Sequence, residues 1–266
     1  MNLHRLRALV AKELLDLRRN RAALLPVAIS TLAFLALPLF IAIGVPLASG
    51  QPLGDDADLA RVSLAVGVHP ELTVDGRVQL FLFEQFLLVF LLMPITGAMA
   101  LAAHAVVGEK VARTLEPLLA TPITTAEILA AKVLGAMLPT FGITLAGLAL
   151  YLALVAGAAD AGVLAAILNL RTFAIAVLVG PAAALVSLQG AILVSSRVND
   201  PRTAQQVGVL IILPVAALIV AQFMGAFWLT AADLALIAAA LVALWVALLL
   251  VSIALFDREA ILTRWR

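Results

Sequence analysis

The chain has no cysteine among its 266 residues, which removes disulfides, thiolate metal ligands and a Cys nucleophile from the account and leaves the redox compartment open. Charge is scarce as well. Charged residues make up 12% and hydrophobic ones 64%, with a mean hydropathy of +1.15, where a soluble domain holds roughly a quarter charged and half apolar residues. That excludes a soluble globular domain and implies an integral membrane protein. Also missing is a GxxxxGKS/T phosphate loop, and hardly any soluble sequence remains to hold a nucleotide domain, so the chain is not expected to hydrolyse ATP itself. The net charge of +1 says less than the distribution of charge along the chain.

What is present is apolar sequence in long runs. At about 20 residues per crossing of roughly 30 Å of hydrocarbon, six spans are predicted, near 22–45, 78–107, 128–158, 172–194, 207–227 and 234–256. The runs are continuously apolar, whereas barrel strands would alternate. The expected fold is therefore all-α and polytopic, a single transmembrane domain over residues 1–266 with a tail at 257–266. The first run follows about twenty charge-rich residues and is too long for the core of a cleaved signal peptide, so it is expected to be retained.

Lysine and arginine set the orientation. With a cytoplasmic N-terminus, the inner segments hold fourteen basic residues, among them Arg18, Arg19, Lys110, Arg113, Arg197 and Arg258, and the outer ones only Arg61, Arg77 and Arg171. Both termini are thus expected in the cytoplasm, the protein sitting in the cell membrane. Within residues 1–21, Leu3, Leu6, Leu9, Val10, Leu14 and Leu17 recur at helical spacing, which predicts an amphipathic helix along the inner surface. A basic leader that only fixes orientation is the plainer alternative. The longest outer loop, Pro46 to Arg77, carries Asp55, Asp56, Asp58, Glu71 and Asp75. It lacks the spacing of a calcium loop, so no metal is assigned, and Val66 to Gly76 is expected to form a turn or a small strand pair.

Gly108 to Lys132, GEKVARTLEPLLATPITTAEILAAK, interrupts the apolar runs with Glu109, Lys110, Arg113, Glu116 and Glu127. Its pattern is helix, Pro break, helix, with Thr125-Ala126-Glu127 opening the second helix. A docking surface for a soluble partner and a solvated surface helix both fit. The segment resembles the signature of the permease subunits of ATP-binding-cassette exporters of the second type, including those classed with sodium and drug efflux. That signature reads approximately E-K/R-E-x-G-T-L-E-x-L-L-x-T-P-I/V, then I-L and a Lys. Glu109, Lys110, Thr114, Leu115, Glu116, Leu118, Leu119, Thr121, Pro122, Ile123, Ile128, Leu129 and Lys132 stand in register with it. Val111 stands where Glu is common, and Arg113 where Gly is common. Val10 to Pro26, Ser195 to Pro214 and Phe256 to Trp265 resemble further family segments.

The resemblance implies a permease, an exporter, driven by a separate ATPase that binds ATP and Mg. It implies a second permease subunit, identical or related, membrane lipids around the pair, and no nucleic acid. It makes Arg113 through Pro122 the coupling helix that contacts the ATPase, with Glu109 as an anchor at the membrane end. For the substrate pathway the candidates are polar groups at membrane depth, Glu84, Gln85, Thr96, Gln189 and Gln222. Pro94, Pro139, Pro181 and Pro214 are possible helix breaks. Against this, Glu84 is expected to reach water near the outer end, and the glutamines to bond neighbouring helices. Two other classes stand beside the permease: an ion-coupled secondary transporter, which usually needs paired charges at depth and is disfavoured because spans one, four, five and six read as uncharged inside, and a non-transporting membrane anchor or assembly factor.

Overall fold

The computed structural model describes residues 3–19, 21–67, 69–111, 123–195, 213–214, 216–224 and 228–255. Five of the described helices are long and apolar enough to cross a membrane: Val27–Ser49, Val74–Ala102, Ala126–Ala158, Leu170–Val194 and Ala231–Ala254. About half of the expected run at 207–227 is described, and there 213–214 and 216–223 are helical. Among the described residues there is no strand.

Helix α1, Leu3–Arg19, lies against the start of the third span. Glu13 is the anchor, its carboxylate 3.3 Å from the ammonium of Lys132, which is 2% exposed. Gly135 makes the approach possible, because a Cβ there would stand 2.5 Å from Cβ of Glu13. Helix α2, Arg21–Leu39, runs into a wide π-helical turn, Phe40–Gly44, then into Val45–Ser49, which ends at Gly50 with a left-handed φ of 68°. The acidic loop that follows uses its carboxylates on backbone amides: Asp56 caps the helix Ala57–Val62, and Asp75 accepts from the amide of Gly54. Of the two forms expected at Val66 to Gly76, the described residues show the turn, at Pro70 and Glu71, and no strand pair; the end of a 3-10 helix precedes it and the first turn of helix α3, Val74–Phe90, capped by Thr73, follows. Asp and Gly at such positions favour caps and turns over strand pairing. Glu71, fully exposed, is held below the usual carboxylate range by its own backbone amide first and then by His69, whose Nδ1 lies 3.0 Å away.

The second span is α3 followed by helix α4, Leu92–Val111, with a break at Leu91. Pro94 accounts for the break, since it denies the carbonyl of Phe90 its ladder hydrogen bond. This span sits at the centre of the bundle, 89% of its apolar window buried against 11% for the last span. A carboxylate or amide on it therefore faces protein rather than lipid.

Helix α5, Thr125–Ala158, is continuous for 34 residues, about 51 Å at 1.5 Å per residue. Pro139 lies inside it without ending it, contrary to the expectation of a break there. It opens at Thr125 as the sequence pattern suggests, and its first turn is closed by a capping box in which Thr124 and Glu127 exchange hydrogen bonds. Past the far end of α5, short helices lead to a second π turn, Ala174–Val179, and to helix α6, Gly180–Ser195. Each π turn runs into a proline, Pro46 or Pro181, at the point where the missing N–H interrupts i→i+4 bonding. Helix α7, Ala231–Leu255, closes the described chain.

Candidate functional site

Two layers of polar side chains cross the bundle at the end opposite α1. The upper layer centres on Glu84 of α3, which is 4% exposed and not open to water as the sequence suggested. Arg171 reaches it from the first turn of the fourth span, with Nη1 donating to Oε2 of Glu84 at 2.8 Å. Asn169 donates to the other carboxylate oxygen while its own Oδ1 caps the turn at the amide of Thr172. Nε of Arg171 donates to the carbonyl of Leu229 at 2.9 Å, and the guanidinium lies 4.2 Å from the ring centre of Trp228, which stacks on Phe81. One ion pair thereby ties the second span, the fourth span and the approach to the last.

The charge distribution makes Arg171 one of three outer cations and gives it no partner. Desolvation explains the difference: a carboxylate buried on the central span needs a paired cation, and a guanidinium can donate to a carboxylate and a carbonyl at once. One residue along α3, Gln85 accepts from Nε2 of Gln222 at 2.7 Å and donates to the Gln222 carbonyl at 3.4 Å, joining the second span to the helical stretch 216–223. Behind this layer Tyr151 of α5 donates to the carbonyl of Phe83 at 3.0 Å. At the tip, Gln79 and Thr73 hold Asp160, just past the end of α5.

The remaining pathway candidates lie elsewhere. Gln189 donates to Oγ of Ser252 at 2.7 Å, linking α6 to α7, and Thr96 donates to the Leu92 carbonyl of its own helix at 2.7 Å. The structure thus brings Glu84, Gln85 and Gln222 together and leaves Gln189 and Thr96 apart. Beneath the two layers lies an apolar cavity of about 430 Å³ lined by the second, fourth and last spans and by Pro214, Leu218 and Ile219.

Of the segment read as a docking surface, Arg113, Thr114, Leu115, Glu116, Leu118, Leu119, Thr121 and Pro122 lie outside the described residues. Their two ends are described: α4, which carries Glu109, runs to Val111, and α5 begins at the Thr124 cap. The Thr124 cap opens the helix whose beginning α1 packs against, away from the ion pair.

A polytopic helical bundle with a polar connection between its second and third spans is the setting in which the comparison with known families is decisive. The model of the ABC-2 family transporter protein matches residues 7–236. The chain belongs to the ABC-2 family of transporters. No curated protein matches it. An ABC-2 chain is the membrane-embedded permease component of an ABC transporter, and membership of the family implies an ABC ATPase as partner. In this ABC-2 permease the match runs from α1 into α7 and takes in the segment between α4 and α5 together with both polar layers.

Proposed function

We propose that this permease is an exporter in the cell membrane with both termini in the cytoplasm, and that Arg113 through Pro122 form the helix seated on the partner ATPase. Two permeases, identical or related, enclose the pathway, and ATP with Mg is bound by the ATPase alone. The observation that supports this most is α5. It starts directly after the proposed docking helix, fixed by the Thr124 capping box, and runs unbroken to Ala158, beside Asp160 and its bonds to Gln79 and Thr73 of α3. A displacement at the ATPase end is thereby delivered to the helix that carries Glu84 and Gln85.

Gentle purification from native membranes should retain a nucleotide-binding subunit. Glu116→Arg should remove that subunit and ATP-driven export while leaving the bundle folded; a permease that still exports at the normal rate without it would refute the proposal. The Glu84–Arg171 pair supplies one element that an ion-coupled carrier needs. That second reading predicts transport that stops with an ionophore and survives an ATPase inactivated in its phosphate loop.

A further inference from the structure

We propose that the apolar chamber beneath the polar layers is a binding site for a single hydrocarbon chain, the tail of an amphiphile with an uncharged head that enters from the bilayer. The chamber, about 430 Å³, falls within the roughly 300–1,000 Å³ typical of small-molecule sites. Protein interiors are otherwise close-packed, with few voids larger than a water molecule. Its walls select the occupant. Leu88 and Leu91 of the second span, Ala183 and Ser187 of the fourth, Ile219 and Leu241 all line it, and the one polar side chain in the lining, Ser187, already donates its hydroxyl to the Ala183 carbonyl at 2.8 Å. A cavity with such walls stays dry and takes apolar ligands.

The lining also shows the way in. It runs from Leu218 and Leu244, 41% and 48% exposed on the flank of the bundle, to Leu88 and Ser187, 2% and 1% exposed at its centre. A chain lying in the membrane's hydrocarbon can slide along that wall without meeting water or charge. At one end the lining includes Leu229, whose carbonyl takes the Nε hydrogen bond of Arg171. Nη2 of Arg171 is buried with no hydrogen-bond partner among the described residues, and Glu84 neutralises the guanidinium. No charged side chain lines the chamber, so the head that accompanies the tail is an uncharged one, such as a hydroxyl, ester or amide. That the bound amphiphile is cargo rests on the permease reading; that it binds does not.

The test uses the full-length permease in lipid nanodiscs, photolabelled with a diazirine-bearing cetyl alcohol and mapped by peptide mass spectrometry. Label is expected on Leu88 and Ser187, displaced by excess plain cetyl alcohol. Ala183→Phe, which fills the chamber, should bring label on Leu88 to background while leaving it unchanged on Leu236, 72% exposed on the outer surface. Should that variant fail to assemble, Ser187→Leu is read at Leu88 in the same way. Label confined to exposed residues such as Leu236, or label on Leu88 that persists in a folded, filled variant, overturns the site. No ATPase takes part, so a negative result leaves the permease assignment standing.

Discussion

Replacing Arg171 with methionine keeps the length of the side chain and removes its guanidinium. Glu84 would retain the Asn169 hydrogen bond but lose the cation 2.8 Å away, in a place where it is 4% exposed. Removing one member of a buried ion pair costs about 3–5 kcal/mol, because the other charge is left uncompensated. The lost hydrogen bond to the Leu229 carbonyl adds about 0.6 kcal/mol, the average for such bonds inside membrane proteins, and the lost contact with Trp228 about 1 kcal/mol. The single variant should therefore lose about 5–7 kcal/mol, most of it from the stranded charge. Pairing Arg171→Met with Glu84→Gln leaves no buried charge, and the double variant should lose only about 1–2 kcal/mol. Equilibrium unfolding in mixed micelles, run as a double-mutant cycle, reads both values. A double variant as unstable as Arg171→Met, or less stable, would show that the charge on Glu84 is not what makes Arg171 necessary.

Thr124→Ala breaks the capping box of α5 and should cost about 1 kcal/mol, seen as faster amide exchange confined to the first turn of that helix. Gly135→Ala should separate α1 from α5 at a cost of about 1–3 kcal/mol, because the new methyl meets Cβ of Glu13, which cannot move without its backbone. Gly147→Ala meets only the terminal methyl of Met93 at 2.8 Å and should be tolerated; exchange protection along α1 compares the two. The lowered proton affinity of Glu71 stabilises its loop above the unfolded carboxylate value of about 4.3 and loses that effect as pH falls through the lower folded value. Protection of the amides around His69, taken relative to their intrinsic exchange rates, should accordingly fall in acid, and Glu71→Gln should abolish that fall.

The spans were legible because hydrophobic length is a local property, and the position of Glu84 stood out as a misfit in an apolar run. The partner of Glu84 was not legible. Arg171 is 87 residues away, and by hydropathy it marks the edge of a span, so it reads as one more outer cation. Only the placement of the fourth span against the second turns it inward. The prolines illustrate the same limit: Pro94 coincides with a break and Pro139 does not, although each removes the same N–H. Both lie in apolar runs of helix-forming residues, so a window of sequence does not tell them apart. In the acidic loop Asp56 stays exposed and caps its own helix, whereas Asp75, on α3, takes the amide of Gly54 from 21 residues earlier, a contact that hydropathy does not reveal.

The π turn at Ala174–Val179 stands between Arg171 and the chamber wall at Ala183 and Ser187. Such a turn holds one residue more than the α-helical ladder around it needs. Deleting one residue from Ala174–Val179 would close the wide turn and leave both flanks in rotational phase. The same deletion in Gly180–Ser195 would swing everything beyond it by about 100°, one residue's share of a 3.6-residue turn. The angle between the ion pair and the chamber is therefore protected by a spare residue, and natural variation in the length of this span should concentrate there.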